Sequence, residues 1–440
     1  MISGLVRSVI PEAPMTWENI ILATSVAMLP LFYLTLKNWT ETWLVILAVI
    51  SVYGIWKSGL NLKCFFPDRA ISGIFIALTF PIIAVALSIL IRGDLHWKLQ
   101  AQNIDLLNGP SRLLLAGVAF LWMKHLRAQF LTVFNIACAI SILITLPFAH
   151  TMQPGIPDRY TTSIMDLDEF SQQISLLGLI QILFLFFRPP TSRWIFILNL
   201  IAILVAIKLA IGSGGRGGWI AFPPVLLLAM LLYRGKKSTL ALALISLLFA
   251  STLVAYLNPT FRNRFASIYT ETQDWFHGKP GGGSGRLTMW MVSWQLIKQQ
   301  PWIGYGSKAN FWNPVYHLDP QTYLRKGVKY ESEAPFLYGL CDTGEHNQYL
   351  CDYLLIGPLG ILSRFLLLGI PFFIFLRKSQ QGSVSNQACC IGAGIILSFM
   401  IFGITQGPFA YKLVTSFYGF TLAVLASSGF YSCDKLSQLK

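Results

Sequence analysis

Apolar runs recur along the whole chain at intervals of roughly 25 to 40 residues, and only short polar segments separate them. Most runs approach the ~20 residues that an α-helix needs to cross a bilayer. Of all residues, 54% are hydrophobic and 12% are charged, about half the charged fraction of a soluble chain. The sequence therefore predicts one all-α integral membrane protein rather than several soluble domains.

We predict twelve transmembrane helices. The predicted spans lie near residues 18–36, 42–56, 70–91, 110–123, 128–149, 170–187, 192–211, 218–233, 239–257, 357–376, 388–405 and 413–430. Helices 1–9 thus fall within residues 1–257, a long loop with interfacial helices occupies 258–345, and helices 10–12 fall within 346–440. The first segment lacks the pattern of a cleaved signal peptide, so the first run is predicted as a retained helix.

Basic residues in the short loops predict the orientation. If the N-terminus is cytoplasmic, these loops carry their Lys and Arg residues on the inner side, at Lys57, Lys63, Arg69, Lys124, Arg127, Arg188, Arg193, Arg234, Lys236, Lys237, Arg377 and Lys378. The long loop then faces outward. The net charge of +14 is not gathered into a basic, aromatic-rich domain, so lipids are expected partners and nucleic acid is not.

The outward turn Gly212–Gly218 is the first candidate site. Its glycines let a ligand approach the backbone, and the free amides of the helix that opens at Trp219 favour an anion. Arg216 adds a planar cation suited to phosphate oxygens. The alternative is an arginine that reaches the lipid headgroups. Lys208, near the outer end of the preceding span, could do the same or could support the anion site.

A second glycine-rich segment, Gly281–Gly285, precedes Arg286. Ser284 is a plausible N-cap, which would place Arg286 in the first helical turn beside unpaired amides. The following apolar residues have helical spacing and predict an amphipathic helix at the membrane surface: Leu287, Trp290, Met291, Trp294 and Ile297. Two such arginines could hold one diphosphate. The alternative is a flexible hinge before an interfacial helix.

The third candidate site is centred on His346. Asp342 or Thr343 could cap a helix with His346 in its first turn, where the positive helix end disfavours an imidazolium ion. Such a histidine tends to remain a neutral base near pH 7. A single histidine is nevertheless more often structural than catalytic. His346 differs because it is predicted on the same membrane face as Arg216 and Arg286.

Two further patterns leave alternatives open. Asp166 and Asp168 could hold a divalent metal, but acidic capping of the next span is the favoured interpretation. No zinc motif is present. Cys341 and Cys351 bracket His346, and either a disulfide or two separate thiols would fit an outward segment.

Two arginines, a base and an interfacial helix together suggest group transfer from a lipid diphosphate to a hydroxyl acceptor. A diphosphate is a good leaving group that needs its developing charge stabilised, which suits Arg216 and Arg286. An incoming hydroxyl needs a positioned base, which suits His346. The donor supplies the energy, so no nucleotide or other cofactor is expected.

The order of these motifs, followed by Gly304-Tyr305-Gly306, His346-Asn347-x-Tyr349, Gly357 and Gly360, resembles the O-antigen ligase and polymerase superfamily. The resemblance implies a metal-independent, inverting glycosyltransferase of the C fold class in the bacterial inner membrane. It implies an undecaprenyl-diphosphate-linked glycan donor, a lipid A core acceptor and a site that faces the periplasm. It assigns the essential histidine to His346 and phosphate binding to Arg216 and Arg286. Supporting residues would be Asn347, Gln348, Tyr349, Ser284 and Lys208.

The alternatives within this superfamily are a polymerase and a protein O-oligosaccharyltransferase. The motifs are more complete than is usual for polymerases, and the chain ends about ten residues after its last apolar span, without the soluble C-terminal domain common in protein transferases. A lipid-linked glycan transporter belongs to a different class. It would carry internal repeats and mid-span charges, which this sequence lacks apart from Lys208. An O-antigen ligase is therefore the favoured interpretation.

Overall fold

The structure is a computed structural model that describes residues 17–59, 62–93, 101–125, 130–151, 159–233, 284–324, 346–380 and 386–430, with isolated residues between 235 and 340. In these ranges the chain is mostly helical. Two short strands, β1 (His150–Thr151) and β2 (Tyr160–Thr161), pair antiparallel. The predicted helical membrane fold is confirmed at this level.

The helices follow the predicted apolar runs closely. In chain order they are α1 (Trp17–Leu31), α2 (Trp39–Ser58), α3 (Arg69–Arg92), α4 (Ala101–His125), α5 (Leu131–Phe148), α6 (Leu167–Phe187), α7 (Arg193–Ser213), α8 (Arg216–Trp219), α9 (Phe222–Leu232), α10 (Ser284–Gln299), α11 (Trp312–Tyr316), α12 (Gln348–Ile356), α13 (Pro358–Ser379), α14 (Asn386–Thr405) and α15 (Lys412–Gly429). The predicted span at 239–257 lies outside the described residues.

Among the described helices, eight are long and apolar enough to cross a membrane: α2, α3, most of α4, α5, α6, α7, α13 and most of α14. Shorter apolar helices cover Ile20–Leu31 and Arg216–Leu232. These helices indicate a multi-pass membrane protein. The number of twelve spans stays a prediction.

Two helices form the centre of the bundle. In the apolar window of α6, 89% of the residues are buried, against 33% in α13. The last helix, α15, is buried along nearly its whole length and packs on α4, α14 and α2. Because α6 faces protein on all sides, it can carry polar residues: Gln173 accepts a hydrogen bond from Tyr33 and donates one to Glu169. The outer helices expose the apolar faces that a bilayer would cover.

Contacts between the connecting segments define two ends of the bundle. At one end, Lys378 at the end of α13 pairs with Asp68 before α3, at 3.5 Å between Nζ and Oδ2. Lys378 was predicted on the cytoplasmic side, and Asp68 directly precedes Arg69, which was predicted there too. At the other end, Arg159 lies 2.9 Å from the backbone oxygen of Ser213, and Ser213 belongs to the predicted outward turn Gly212–Gly218. These contacts join connecting segments at the two ends of the bundle, and the side of the membrane that each end faces stays a prediction.

The described part of the long loop has its own apolar cluster at this second end. Val292 and Leu296 of α10 pack with Phe311, Tyr323 and Leu354, and Leu354 belongs to α12. Backbone hydrogen bonds from Tyr305 and Gly306 to the oxygens of Leu354 and Leu355 join the loop to the same helix. The loop is therefore packed onto the bundle through α12.

Candidate functional site

Three predicted outward segments meet at the end of the bundle. Arg286, in the first turn of α10, forms an ion pair with Asp168, in the first turn of α6. His346 lies close enough to both side chains for their charges to influence its protonation. The structure therefore brings together two of the three residues that the sequence singles out, Arg286 and His346, and adds the carboxylate of Asp168.

His346 precedes helix α12 rather than lying in its first turn. The N-cap is Asn347, whose Oδ1 accepts hydrogen bonds from the amides of Tyr349 and Leu350 at 3.0 and 3.2 Å. The prediction that Asp342 or Thr343 caps a helix containing His346 is wrong, because Asn347 is itself a strong capping residue. His346 instead adopts a left-handed backbone with φ of 48°. Residues 341–345 lie outside the described residues.

The residues after His346 hold α12 against α14 and the turn that follows it. Gln348 accepts a hydrogen bond from the Phe409 amide at 2.9 Å, and Tyr349 donates one to the Met400 oxygen at 2.9 Å. Asn347 donates to the Ile404 oxygen at 3.3 Å. These contacts give the motif a structural part in fixing His346. A direct part of Asn347, Gln348 and Tyr349 in the chemistry stays a prediction.

A buried ion pair completes this support. Arg364 of α13 donates to both carboxylate oxygens of Asp352 in α12, at 2.7 and 3.0 Å. Gln348 donates to the same carboxylate at 2.9 Å, and the guanidinium lies 4.0 Å from the centre of the Phe409 ring. The forked geometry matches the bidentate arrangement in which an arginine–carboxylate pair is strongest. The pair therefore links α12, α13 and the turn before α15.

The glycine-rich turn packs directly on α6. A Cβ at Gly215 would lie 2.4 Å from Cβ of Ser171, and the Ser171 hydroxyl donates to the Gly215 oxygen at 2.6 Å. The helix begins at Arg216 and not at Trp219 as predicted, because α7 ends at Ser213 and its C-cap Gly214, with a φ of 65°, permits the reversal. Gly215 thereby lies beside Asp168, whose Oδ1 is 3.6 Å from the same Cβ position.

Arg216 directly follows Gly215, so its backbone lies next to Asp168. Its Nη1 lies 3.5 Å from the hydroxyl of Ser267 in the long loop. Lys208, one and a half turns before the end of α7, is exposed. The roles of Arg216 and Lys208 in anion binding stay predictions.

Helix α10 confirms one local prediction and corrects another. It begins at Ser284, which places Arg286 in the first turn as predicted; the side chain of Ser284 lies outside the described residues. The packed face is Met289, Val292, Leu296 and Ile297. It includes Ile297 of the predicted stripe, whereas Trp294 of that stripe is 53% exposed. The helix has apolar residues on more than one side because it covers the loop cluster and also presents Trp294 outward.

Asp166 and Asp168 have other partners than those considered from the sequence. Asp166 is the N-cap residue of α6, but its carboxylate accepts a hydrogen bond from the Tyr411 hydroxyl at 2.7 Å instead of one from the helix amides. Asp168 pairs with Arg286 and lies 3.9 Å from Arg159. The described residues contain no cluster of acidic, histidine and cysteine side chains suited to a metal ion. Cys341 lies outside the described residues, so the disulfide with Cys351 stays a prediction.

The electrostatic surroundings of His346 favour its neutral form. Burial lowers the pKa of His346 below its ordinary value of 6.5, and the cations Arg286 and Lys308 lower it further. The hydrogen bond to Gln406 and the carboxylate of Asp168 act in the opposite direction. Because the net direction is downward, the imidazole is uncharged near pH 7 and able to accept a proton.

A crevice of about 860 Å³ opens on the same part of the loop. Asn310, in the same 3₁₀ turn as Lys308, lines it together with Asn313, Gln299 and Trp302. Side-chain amides and an aromatic ring are groups that hydrogen-bond and stack on polar ligands. The crevice thus adjoins the turn whose lysine acts on His346.

Several residues of this site belong to no recognisable sequence motif. Gln406 contacts His346, and Tyr411 contacts Asp166. Arg159 faces Asp168. Their shared signal is position: each is a polar side chain within ten residues of an apolar span on the predicted outward side. That signal was weak because it applies to many loop residues that make no such contact.

The fold and the site define a class of protein: a multi-pass helical membrane protein that gathers arginine, histidine and carboxylate side chains at one end of its bundle. Residues 201–365, which include Arg216, Arg286 and His346, match the sequence model of the O-antigen ligase family. The match confirms the resemblance to the O-antigen ligase superfamily and, at a coarse level, supports a transferase. An uncharacterized protein of Haemophilus influenzae is 24% identical over 409 residues, which cover 89% of this chain and 94% of that protein.

Proposed function

We propose that this protein is an O-antigen ligase, which transfers a glycan from undecaprenyl diphosphate to a sugar hydroxyl of lipid A core at the periplasmic face of the inner membrane. The observation that carries the proposal is that His346 lies within electrostatic reach of the Arg286–Asp168 ion pair at one end of a helical bundle, in surroundings that favour its neutral form. The family match over residues 201–365 supports the same chemistry.

The arginines supply the charge that a diphosphate needs. Arg286 is about one-third exposed and is held by Asp168 through Nη2, so the rest of its fork can face an incoming phosphate. Arg216 stands at the start of α8, next to the glycine turn that packs on α6. Both side chains would stabilise the negative charge that grows on the leaving diphosphate.

The proposed step is a single displacement. The acceptor oxygen forms a bond to the anomeric carbon while the bond from that carbon to the diphosphate oxygen breaks, and the electron pair leaves with the diphosphate. The hydroxyl proton passes to Nε2 of His346, because Nδ1 is engaged by Gln406. Attack opposite to the leaving group inverts the anomeric configuration. No cofactor enters this step.

The crevice beside Lys308 supports a substrate that carries sugars. It is open and lined by amides and Trp302, and such groups suit hydroxyl-rich ligands. The exposed apolar surfaces of the neighbouring helices would meet the lipid part of donor and acceptor. One protein molecule could therefore bring a membrane-anchored diphosphate donor and a polar acceptor to the same imidazole.

The test is the identity of the product. Purified protein in liposomes is supplied with undecaprenyl-diphosphate glycan and lipid A core, and the products are separated by mass. We expect glycan joined to lipid A core, with release of undecaprenyl diphosphate. Longer glycan on the carrier would show a polymerase, and donor translocation without new bonds would show a transporter; either result would overturn the proposal.

A further inference from the structure

Gln406 lies between His346 and the start of the last helix. Its side chain is buried, and Oε1 is hydrogen-bonded to Nδ1 of His346. Its backbone is held on both sides: the amide donates to the Phe402 oxygen at 2.9 Å, and the oxygen accepts from the Gln348 amide at 3.2 Å. The carboxamide therefore has little freedom to move relative to the imidazole.

The other end of the same carboxamide faces Tyr411. The Gln406 side chain lies close enough to the Tyr411 hydroxyl to influence its protonation, and this hydroxyl donates to Asp166 Oδ2 at 2.7 Å. A carboxylate is the strongest acceptor in the group, so it takes the phenolic hydrogen. The Tyr411 oxygen can then only accept, and Gln406 must offer it the amino group.

This chain of partners decides which way the carboxamide points. With its amino group toward Tyr411, Gln406 presents its oxygen to His346, and an oxygen requires that Nδ1 carry the hydrogen. In a neutral imidazole the hydrogen on Nδ1 leaves Nε2 as the acceptor. The orientation of the carboxamide thus follows from the whole series of interacting side chains and from no single contact.

We propose that Asp166, Tyr411 and Gln406 are positioning residues that set the tautomer of His346, so that Nε2 is the nitrogen that takes the acceptor proton. The inference rests on the proposed function, in which His346 is the base. It gives Asp166 a part in the chemistry without a metal ion. It also explains why Asp166, at the N-cap position of α6, makes no side-chain hydrogen bond to the helix amides.

The charged groups around His346 and Tyr411 are compatible with these positioning roles. His346 faces Arg286 of α10, Asp168 of α6 and Lys308 of the 3₁₀ turn. Tyr411 faces Glu169 and Asp166 of α6. Burial, the hydrogen bond to Asp166 and these carboxylates raise the pKa of Tyr411 well above its ordinary value of 10.0, so it remains a hydroxyl donor wherever the enzyme works.

The first measurement is spectroscopic and does not depend on turnover. Nitrogen-15 chemical shifts of labelled histidine, assigned by subtraction of a His346→Ala spectrum, distinguish a protonated ring nitrogen from a bare one. We expect hydrogen on Nδ1 of His346 in the wild type and a mixture of tautomers in Tyr411→Phe. Hydrogen on Nε2 in the wild type would overturn the inference.

The second measurement uses the pH dependence of transfer. Gln406→Leu and Tyr411→Phe should lower kcat by roughly 10- to 100-fold with little change in KM. Gln406→Leu should move the acid limb to lower pH, because the imidazolium loses an acceptor. Gln406→Glu should move the acid limb to higher pH, because a carboxylate stabilises the imidazolium. At pH values above this limb kcat should recover, because the carboxylate holds the same tautomer.

The matched control is Tyr353→Phe, which removes a tyrosine hydroxyl that donates to the Pro301 oxygen elsewhere on α12, and it should transfer as the wild type does. If His346→Ala is inactive while the Gln406 and Tyr411 variants match the wild type, the positioning chain is wrong and the proposed function stands. If His346→Ala is active, the proposed function itself is wrong.

Discussion

At the scale of single residues, Lys308 tests whether charge tunes His346. This lysine lowers the pKa of His346, so Lys308→Met should raise it. A base works only when deprotonated, and its rate is lost as pH falls through its pKa. The acid limb of kcat/KM should therefore lie below 6.5 in the wild type and move upward in the variant, because a nearby positive charge is removed. Lys298→Met, at the exposed end of α10, should leave it in place.

Arg286 tests the need for a forked cation. Arg286→Lys keeps the charge but cannot hold Asp168 and a phosphate with separate nitrogens, so we expect kcat/KM to fall by roughly 10-fold or more. Lys298→Ala removes a cation from the far end of the same helix and should have no effect. Steady-state transfer in liposomes measures both. Wild-type kinetics for Arg286→Lys would contradict diphosphate binding by a fork.

Single residues also show where sequence reasoning stopped. Arg286 and His346 could be singled out because glycine flanks, helix position and motif order are local signals. The pairing of Arg286 with Asp168 could not be predicted, since 118 positions separate the two residues and an ion pair has no sequence period. The local structure at His346 was mispredicted because several capping residues stand close together, and Asn347 is the one whose side chain reaches the amides of α12.

At the scale of elements, the motif glycines hold the long loop against α12. Gly357 has a φ of 68°, and a Cβ there would lie 2.6 Å from the Trp302 oxygen. Gly304 makes the reciprocal approach, with its Cβ position 2.7 Å from the Gly357 amide nitrogen. These glycines thus allow two backbone segments to touch, which places the loop cluster over the bundle end.

Gly357→Ala should therefore destabilise the protein by about 1–3 kcal/mol through backbone strain alone, with a further cost from the contact with Trp302. Gly369→Ala is the matched control, because nothing lies within 4 Å of its Cβ position in α13. It should be neutral or stabilise by about 0.5–1 kcal/mol. Thermal unfolding in detergent compares the two. An unchanged Tm for Gly357→Ala would contradict the close packing.

Helix positions were largely predictable, whereas their packing was not. Apolar runs report length and approximate limits, since the bilayer sets both. They do not by themselves show that α6 is enclosed and α13 is not, because mean hydropathies of 1.7 and 2.2 both suit a membrane span. Apart from Ile297, the buried face of α10 was missed for the same reason: it is selected by Phe311, Tyr323 and Leu354, which lie outside the helix.

At the scale of the whole molecule, the two ends of the bundle should lie on opposite sides of the membrane. Trp302 is 79% exposed at the end that carries the site, and Cys64 is exposed near the opposite end. In intact cells, a membrane-impermeant maleimide should label Trp302→Cys in a cysteine-free background. It should not label a variant that keeps Cys64 alone. Labelling only of Cys64 would reverse the proposed orientation.

The central claim is that His346 accepts the proton when a diphosphate-linked glycan is transferred, and purified His346→Ala in liposomes tests it most directly. The variant should lose transfer to lipid A core by roughly 100-fold or more, while it still binds the donor and unfolds at the wild-type temperature. His317→Ala, an exposed histidine of the loop, should transfer normally. Transfer by His346→Ala at the wild-type rate would contradict the account.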